Sequence, residues 1–178
     1  EMTQSVQRQI VVNQLQQAQS QGARLLEGGT GDRSNASSES DGLQLRPTVV
    51  EGAPESASVW TDETFGPVLA LETFETEEDA IHLANQGAFG LSASVWSQNI
   101  ERATQVALRL QVGNVSINNV MVTEANPFLP FGGNRQSGFG RIKGESGFRA
   151  FQQSKSILID QNSAKIEAHW YPYTPEKF

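Results

Sequence analysis

Between residues 67 and 117 short apolar runs alternate with amphipathic stripes, and this alternation leaves the chain very few architectures. Pro67-Val68-Leu69-Ala70-Leu71 is a continuous apolar run opened by a proline, which predicts a strand buried on both faces. Thr76 stands three residues before Asp79, approximating a capping box, and Ala80, Ile81, Ala84 and Ala88 then share one side of a predicted helix, with Gly87 and Gly90 marking its exit. The unit repeats at once. Residues 91–96 read as a strand, Ile100, Ala103, Ala107 and Leu110 form a second helical stripe, and residues 113–117 turn into a third strand. Strands separated by helices of this length favour parallel pairing through right-handed crossovers. The expected class is therefore α/β, part of an open, mainly parallel sheet with flanking helices. Ligands of such sheets bind beyond the C-terminal strand ends, which directs attention to the loop over residues 118–131.

Upstream, Val6, Ile10, Val11, Leu15 and Ala18 recur at helical spacing among glutamines, and Gly22 is placed to stop that helix. Residues 28–43 combine turn formers with almost nothing to bury and predict an exposed, mobile loop. Pro47-Thr48-Val49-Val50 reads as a further strand, and so does Ser156-Ile157-Leu158-Ile159-Asp160 near the other end. The last stretch, Trp170-Tyr171-Pro172-Tyr173-Thr174-Pro175, is too rich in proline for regular structure and reads as a tail packed on a surface.

A chain of 178 residues, 37% hydrophobic, suits one domain with a real core. Twenty acidic against thirteen basic side chains give a net charge of -7, which argues against nucleic acid or an anionic membrane as partner. There is no apolar run of membrane-spanning length and no basic segment leading into an apolar one, so a soluble, cytoplasmic setting is expected. The absence of cysteine removes disulfides, thiolate zinc sites and thiol catalysis together. His82 and His169 have no ligand-spaced companions, so no metal is expected. Gly138-x-Gly140-x-x-x-Gly144 misses the dinucleotide spacing. Those glycines read instead as permitting close backbone approach, with Arg141 fixing the loop.

Four blocks, in order, resemble the aldehyde dehydrogenase superfamily. They are Glu63-Thr64-Phe65-Gly66-Pro67-Val68; Ala84-Asn85 with Phe89-Gly90-Leu91-Ser92-Ala93; Gly113-Asn114-Val115-Ser116-Ile117-Asn118; and Pro130-Phe131-Gly132-Gly133 through Ser137-Gly138-Phe139-Gly140-Arg141 and Gly144. The resemblance implies that residues 1–153 are the C-terminal part of a catalytic domain, 154–163 an oligomerisation strand and 164–178 a tail. It implies NAD or NADP as cofactor, an aldehyde as substrate and a homo-oligomer in the complete enzyme. It also implies that the catalytic cysteine and the general base precede this chain, so that no catalytic residue lies within it.

By the same resemblance Glu63 binds the nicotinamide ribose hydroxyls, since a carboxylate offers two acceptor oxygens to a vicinal diol, and Phe65 packs on the nicotinamide ring. Phe131 lines the aldehyde tunnel, Phe128 lies in a variable loop with Ala125, Asn126 and Pro127, and Asn118 sets the loop beside the substrate. Plainer readings stand beside these: Phe65, Phe128 and Phe131 as core aromatics, and Asn118 as a strand-end cap. The corresponding function is a fragment of an enzyme that oxidises an aldehyde to a carboxylic acid. The alternatives are a naturally short, non-catalytic homologue serving binding or assembly, and a relative using the scaffold for acyl-CoA or activated-acid chemistry. A split domain should expose an apolar face of more than a few hundred Å².

Overall fold

The computed structural model describes residues 2–29, 43–161 and 169–175. Most of the loop expected at 28–43, the end of the segment expected as an oligomerisation strand, and parts of the tail lie outside them.

The first helix, α1 (Ser5–Ser20), is followed by β1 (Arg24–Glu27) and β2 (Thr48–Glu51). A one-turn helix, α2 (Ser58–Thr61), leads to β3 (Val68–Leu71). These strands form one sheet in the order β1-β2-β3, with β1 antiparallel to β2 and β3 parallel to it. The principal core sits here: Val11, Leu15 and Ala18 of α1 pack with Val50, Ala53, Ala57 and Val59, and Val11, Leu15 and Val50 are fully buried. Each such side chain contributes about 1.5–3 kcal/mol over exposure. Val6 and Ile10, expected on the buried stripe, are 69% and 44% exposed, while Val12 and Gln14 turn inward. A helix of this length overhangs a sheet of four-residue strands, so its later turns make the contact. β3 is likewise not buried on both faces: Val68 packs against the core, whereas Leu69 and Leu71, on the opposite face, are exposed.

The second half continues with α3 (Glu77–Asn85), β4 (Phe89–Gly90), β5 (Ser92–Val95), α4 (Ile100–Arg109) and β6 (Asn114–Ile117). Thr76 and Asp79 do form a full capping box at the start of α3, and Asn99 caps α4 by accepting from the Arg102 N–H at 2.9 Å. β5 and β6 pair in parallel from Ser92 with Asn114 to Val95 with Ile117, the right partners for a β-α-β crossover. α3 and α4 are tied by Arg102 to Glu77 and by Arg109 to Glu78. Only Ile81 and Ala103 are buried on these two helices.

The last elements are α5 (Val122–Ala125), β7 (Asn134–Arg135), which pairs antiparallel with β4, and α6 (Gly144–Arg149). The fold is α/β as expected, but its strands form three small sheets rather than one continuous one. Strands of two to four residues offer few ladder bonds, and no ladder joins β3 to β5 or β6 among the described residues. The segment expected as a strand near residues 156–160 forms no ladder with any described strand of this chain, and its Ile157, Leu158 and Ile159 are exposed; a strand is made by pairing with a neighbour, and its expected neighbour belongs to another subunit. No helix of the described residues is long and apolar enough to cross a membrane.

Candidate functional site

Residues 62–67 run from α2 to β3, and α1 pins their backbone at two points. The Gln7 side-chain amide donates to the Thr64 carbonyl at 3.0 Å, and Gly66 lies so close to Val11 that a Cβ there would meet Val11 Cγ2 at 2.8 Å. Between these anchors Phe65 takes a left-handed backbone, φ 41°, and its ring is 70% exposed. That conformation costs an aromatic residue about 1–2 kcal/mol, and no burial of the ring offsets it. Glu63, two residues earlier, is exposed and its carboxylate has no hydrogen-bond or ion-pair partner among the described residues. It lines a cleft of about 570 Å³ with Phe89, Leu91, Ser92, Gln136 and Ser137. The Glu63 carboxylate, unpaired among the described residues, offers two acceptor oxygens, and Phe65, which is not part of the cleft's lining, offers an exposed flat ring.

The far wall of this cleft is held by a residue that sequence reasoning passed over. The Arg135 guanidinium donates to the Asn85 carbonyl at 2.8 Å, to the Gly87 carbonyl, and to the Gln111 carbonyl at 3.3 Å, gathering the ends of α3 and α4. Asn85 closes the same node, donating to the Arg109 carbonyl at 3.0 Å and accepting from the Gln111 N–H at 2.7 Å. From β7 the chain then delivers Ser137, whose hydroxyl accepts from the Gly90 N–H at 2.9 Å. An arginine set within a glycine-rich turn was the available signal. Arg141 behaves as expected, donating to the Gly133 and Gly140 carbonyls at 2.9 and 2.7 Å and to Asn134 Oδ1 at 2.6 Å.

The loop after β6 is built separately. Asn118, also left-handed at φ 53°, commits both ends of its amide to the backbone of Ser97. Phe131 is half-buried and exchanges two backbone hydrogen bonds with Ile142, each at 2.8 Å. The Lys143 ammonium lies 5.6 Å from the Phe131 ring centroid and donates to the Glu124 carbonyl. Phe128 is 85% exposed, so it is not a core aromatic here. The walls of the Glu63 cleft include none of Asn118, Phe128 or Phe131. Those walls lie toward the N-terminal ends of β5 and β6, whereas Asn118 follows the C-terminal ends.

Crossover strands, a pinned Glu-Thr-Phe-Gly-Pro-Val turn and an arginine-held glycine segment make up an α/β domain, and the residues that build these features are the blocks by which the sequence resembles the aldehyde dehydrogenases. The chain belongs to the aldehyde dehydrogenase family, whose profile matches residues 2–157. It is 41% identical over 134 residues to a 4,4'-diapolycopene aldehyde oxidase from a Methylomonas species, covering 75% of this chain and 25% of that one. A betaine aldehyde dehydrogenase point mutant from Staphylococcus aureus, solved with NAD+, superposes with a TM-score of 0.79 at 34% identity, covering 94% of this chain and 33% of that one. A succinic semialdehyde dehydrogenase from Streptococcus pyogenes, solved with NADP+, gives 0.76 at 32% identity, with 88% and 33% covered. The chain thus spans about a quarter to a third of the length of these relatives.

Proposed function

We propose that this chain is one wall of an NAD(P)-dependent aldehyde dehydrogenase, with the thiol nucleophile and the general base supplied by another part of the polypeptide. The observation that carries the reading is the Glu63 carboxylate, unpaired among the described residues, two positions before the exposed, left-handed Phe65. NAD or NADP, when bound, supplies the hydride acceptor. Glu63 accepts hydrogen bonds from the ribose hydroxyls and so fixes where the nicotinamide can lie, while Phe65 limits its tilt. Phe131 and Phe128 line the aldehyde's path, and Asn118 holds their loop to β5 through Ser97. We read the complete enzyme as a cytoplasmic homo-oligomer in which the apolar segment around Ile157, Leu158 and Ile159 joins a neighbouring subunit's sheet.

Glu63→Gln in the complete enzyme tests this. The change keeps the shape but halves the acceptors for the diol, so kcat/KM for the nucleotide should fall by about tenfold or more; an unchanged value sinks the assignment. A second reading, favoured by the lack of any cysteine in the chain, is a short binding or assembly module. The intact mass of the native gene product separates the two, a much larger product supporting the dehydrogenase and a matching mass the module.

A further inference from the structure

Between α2, the end of β3 and α3 lies a second cavity of about 310 Å³ that shares Ala84 with the wall of the Glu63 cleft but includes none of Glu63, Phe65, Asn118, Phe128 or Phe131. Its floor is apolar, made by Leu83 and Ala84 of α3, and two aromatic rings, Trp60 and Phe74, border it. Its polar side chains are the acidic Glu55 and Glu72 and the neutral Thr61 and Gln86, and it holds no lysine or arginine. The Trp60 ring is fixed in place because its indole N–H donates to the Ala53 carbonyl at 3.1 Å. Glu55 has no partner among the described residues, and Glu72 only accepts from the neighbouring Thr73 N–H at 2.9 Å. An apolar floor alone would take any greasy ligand of this size. Rings with negative faces and two carboxylates that have no cationic partner among the described residues add a preference for one charge, and the chain's net charge of -7 acts in the same direction.

We propose that the Trp60 cavity is a binding site for a small organic cation, an ammonium group carried on an apolar body. The body displaces water from Leu83 and Ala84, while the ammonium sits among the Trp60 and Phe74 rings and the carboxylates of Glu55 and Glu72. Because both carboxylates are solvent-exposed, their share of the attraction is screened and falls with added salt. This proposal does not depend on the dehydrogenase reading.

Three probes that share one ring separate charge from greasiness: cyclohexylmethylammonium, cyclohexylmethanol and cyclohexanecarboxylate. The chain has three tryptophans, so its indole N–H groups give three resolvable NMR signals, and Trp60→Phe identifies the one belonging to the cavity. The expected result is saturable displacement of the Trp60 signal by the ammonium, about tenfold tighter than by the alcohol, with the carboxylate weakest. In Glu55→Gln/Glu72→Gln, a pair of surface changes that leave the core untouched, the ammonium's advantage over the alcohol should shrink severalfold. Equal binding of ammonium and alcohol overturns the proposal. So does an advantage that survives the double variant, movement confined to the Trp96 or Trp170 signals, or no saturable binding of the ammonium.

Discussion

Asn118 grips Ser97 by both of its backbone groups: Asn118 Oδ1 accepts from the Ser97 N–H and Asn118 Nδ2 donates to the Ser97 carbonyl, each at 2.8 Å. The side chain thereby continues the β5–β6 pairing one rung past Ile117, at the point where its own backbone has turned left-handed.

Two substitutions separate these roles. Asn118→Gly keeps the backbone conformation and loses the grip, which should cost about 1 kcal/mol. Asn118→Ala loses both and should cost about 1–2 kcal/mol more. Urea unfolding midpoints should fall in the order Asn118, Gly, Ala, and equal midpoints for the two variants would remove the backbone argument.

Gly113 and Gly138 make a contrasting pair. A Cβ on Gly113 would stand 1.8 Å from the Gly132 carbonyl oxygen, so Gly113→Ala must separate β6 from the glycine hairpin and should cost about 3 kcal/mol or more. Gly138 has φ +121° but nothing within 4 Å of a Cβ, so Gly138→Ala carries only backbone strain, about 1–2 kcal/mol. Thermal melts of the two variants read the difference directly.

The start of α3 should be sensitive to acid. The Thr76 hydroxyl and then the Thr76 backbone N–H hold the Asp79 carboxyl below its ordinary 3.8, and the hydrogen bond from Arg109 does the same for Glu78, ordinarily 4.5. Lowered carboxyl values stabilise the fold above the unfolded values, and that contribution is lost as pH falls from about 4.5 through the folded ones. Thr76→Ala should move the Asp79 carboxyl upward in an NMR titration and flatten the acid side of the stability profile. A titration midpoint unmoved by the substitution would contradict the capping assignment.

Phe65 should trade stability for function. Phe65→Gly relieves a left-handed aromatic whose ring buries little, so the fold should gain about 1 kcal/mol in chemical unfolding. In the complete enzyme the same change should raise KM for the nicotinamide nucleotide. Gain of stability with no kinetic change would leave the strain without the proposed purpose.

Much of this architecture was legible in the residue pattern, because crossover units and caps are local. Thr76 with Asp79 and the stripe ending at Gly87 depend on neighbours a few residues away, and the strands around Val95 and Ile117 are partners across the single crossover between them, 22 positions apart. What was not legible depends on distant partners. β1 and β7 are four and two residues long and exist only through β2 and β4. Val6 and Ile10 carry the same spacing as Val11 and Leu15, and only the extent of the sheet beneath decides which are covered. In the site, Glu63 and Phe65 could be singled out through resemblance, yet the three carbonyls gathered by Arg135 come from segments 24 to 50 positions away. Nor did any local signal put Asn118 at the other end of the β5–β6 pair from the Glu63 cleft.

The crowding of buried apolar side chains under α1, against only Ile81 and Ala103 on α3 and α4, makes the molecule's rigidity uneven. Amides of β2 and the later turns of α1 should exchange with deuterium only through near-global opening, whereas those of α3 and α4 can exchange through cheaper local opening. The Arg135 node and the Glu77 and Glu78 ion pairs lie in this looser half. Hydrogen bonds at its margins, more than packing, therefore set how long the walls of the Glu63 cleft stay in register.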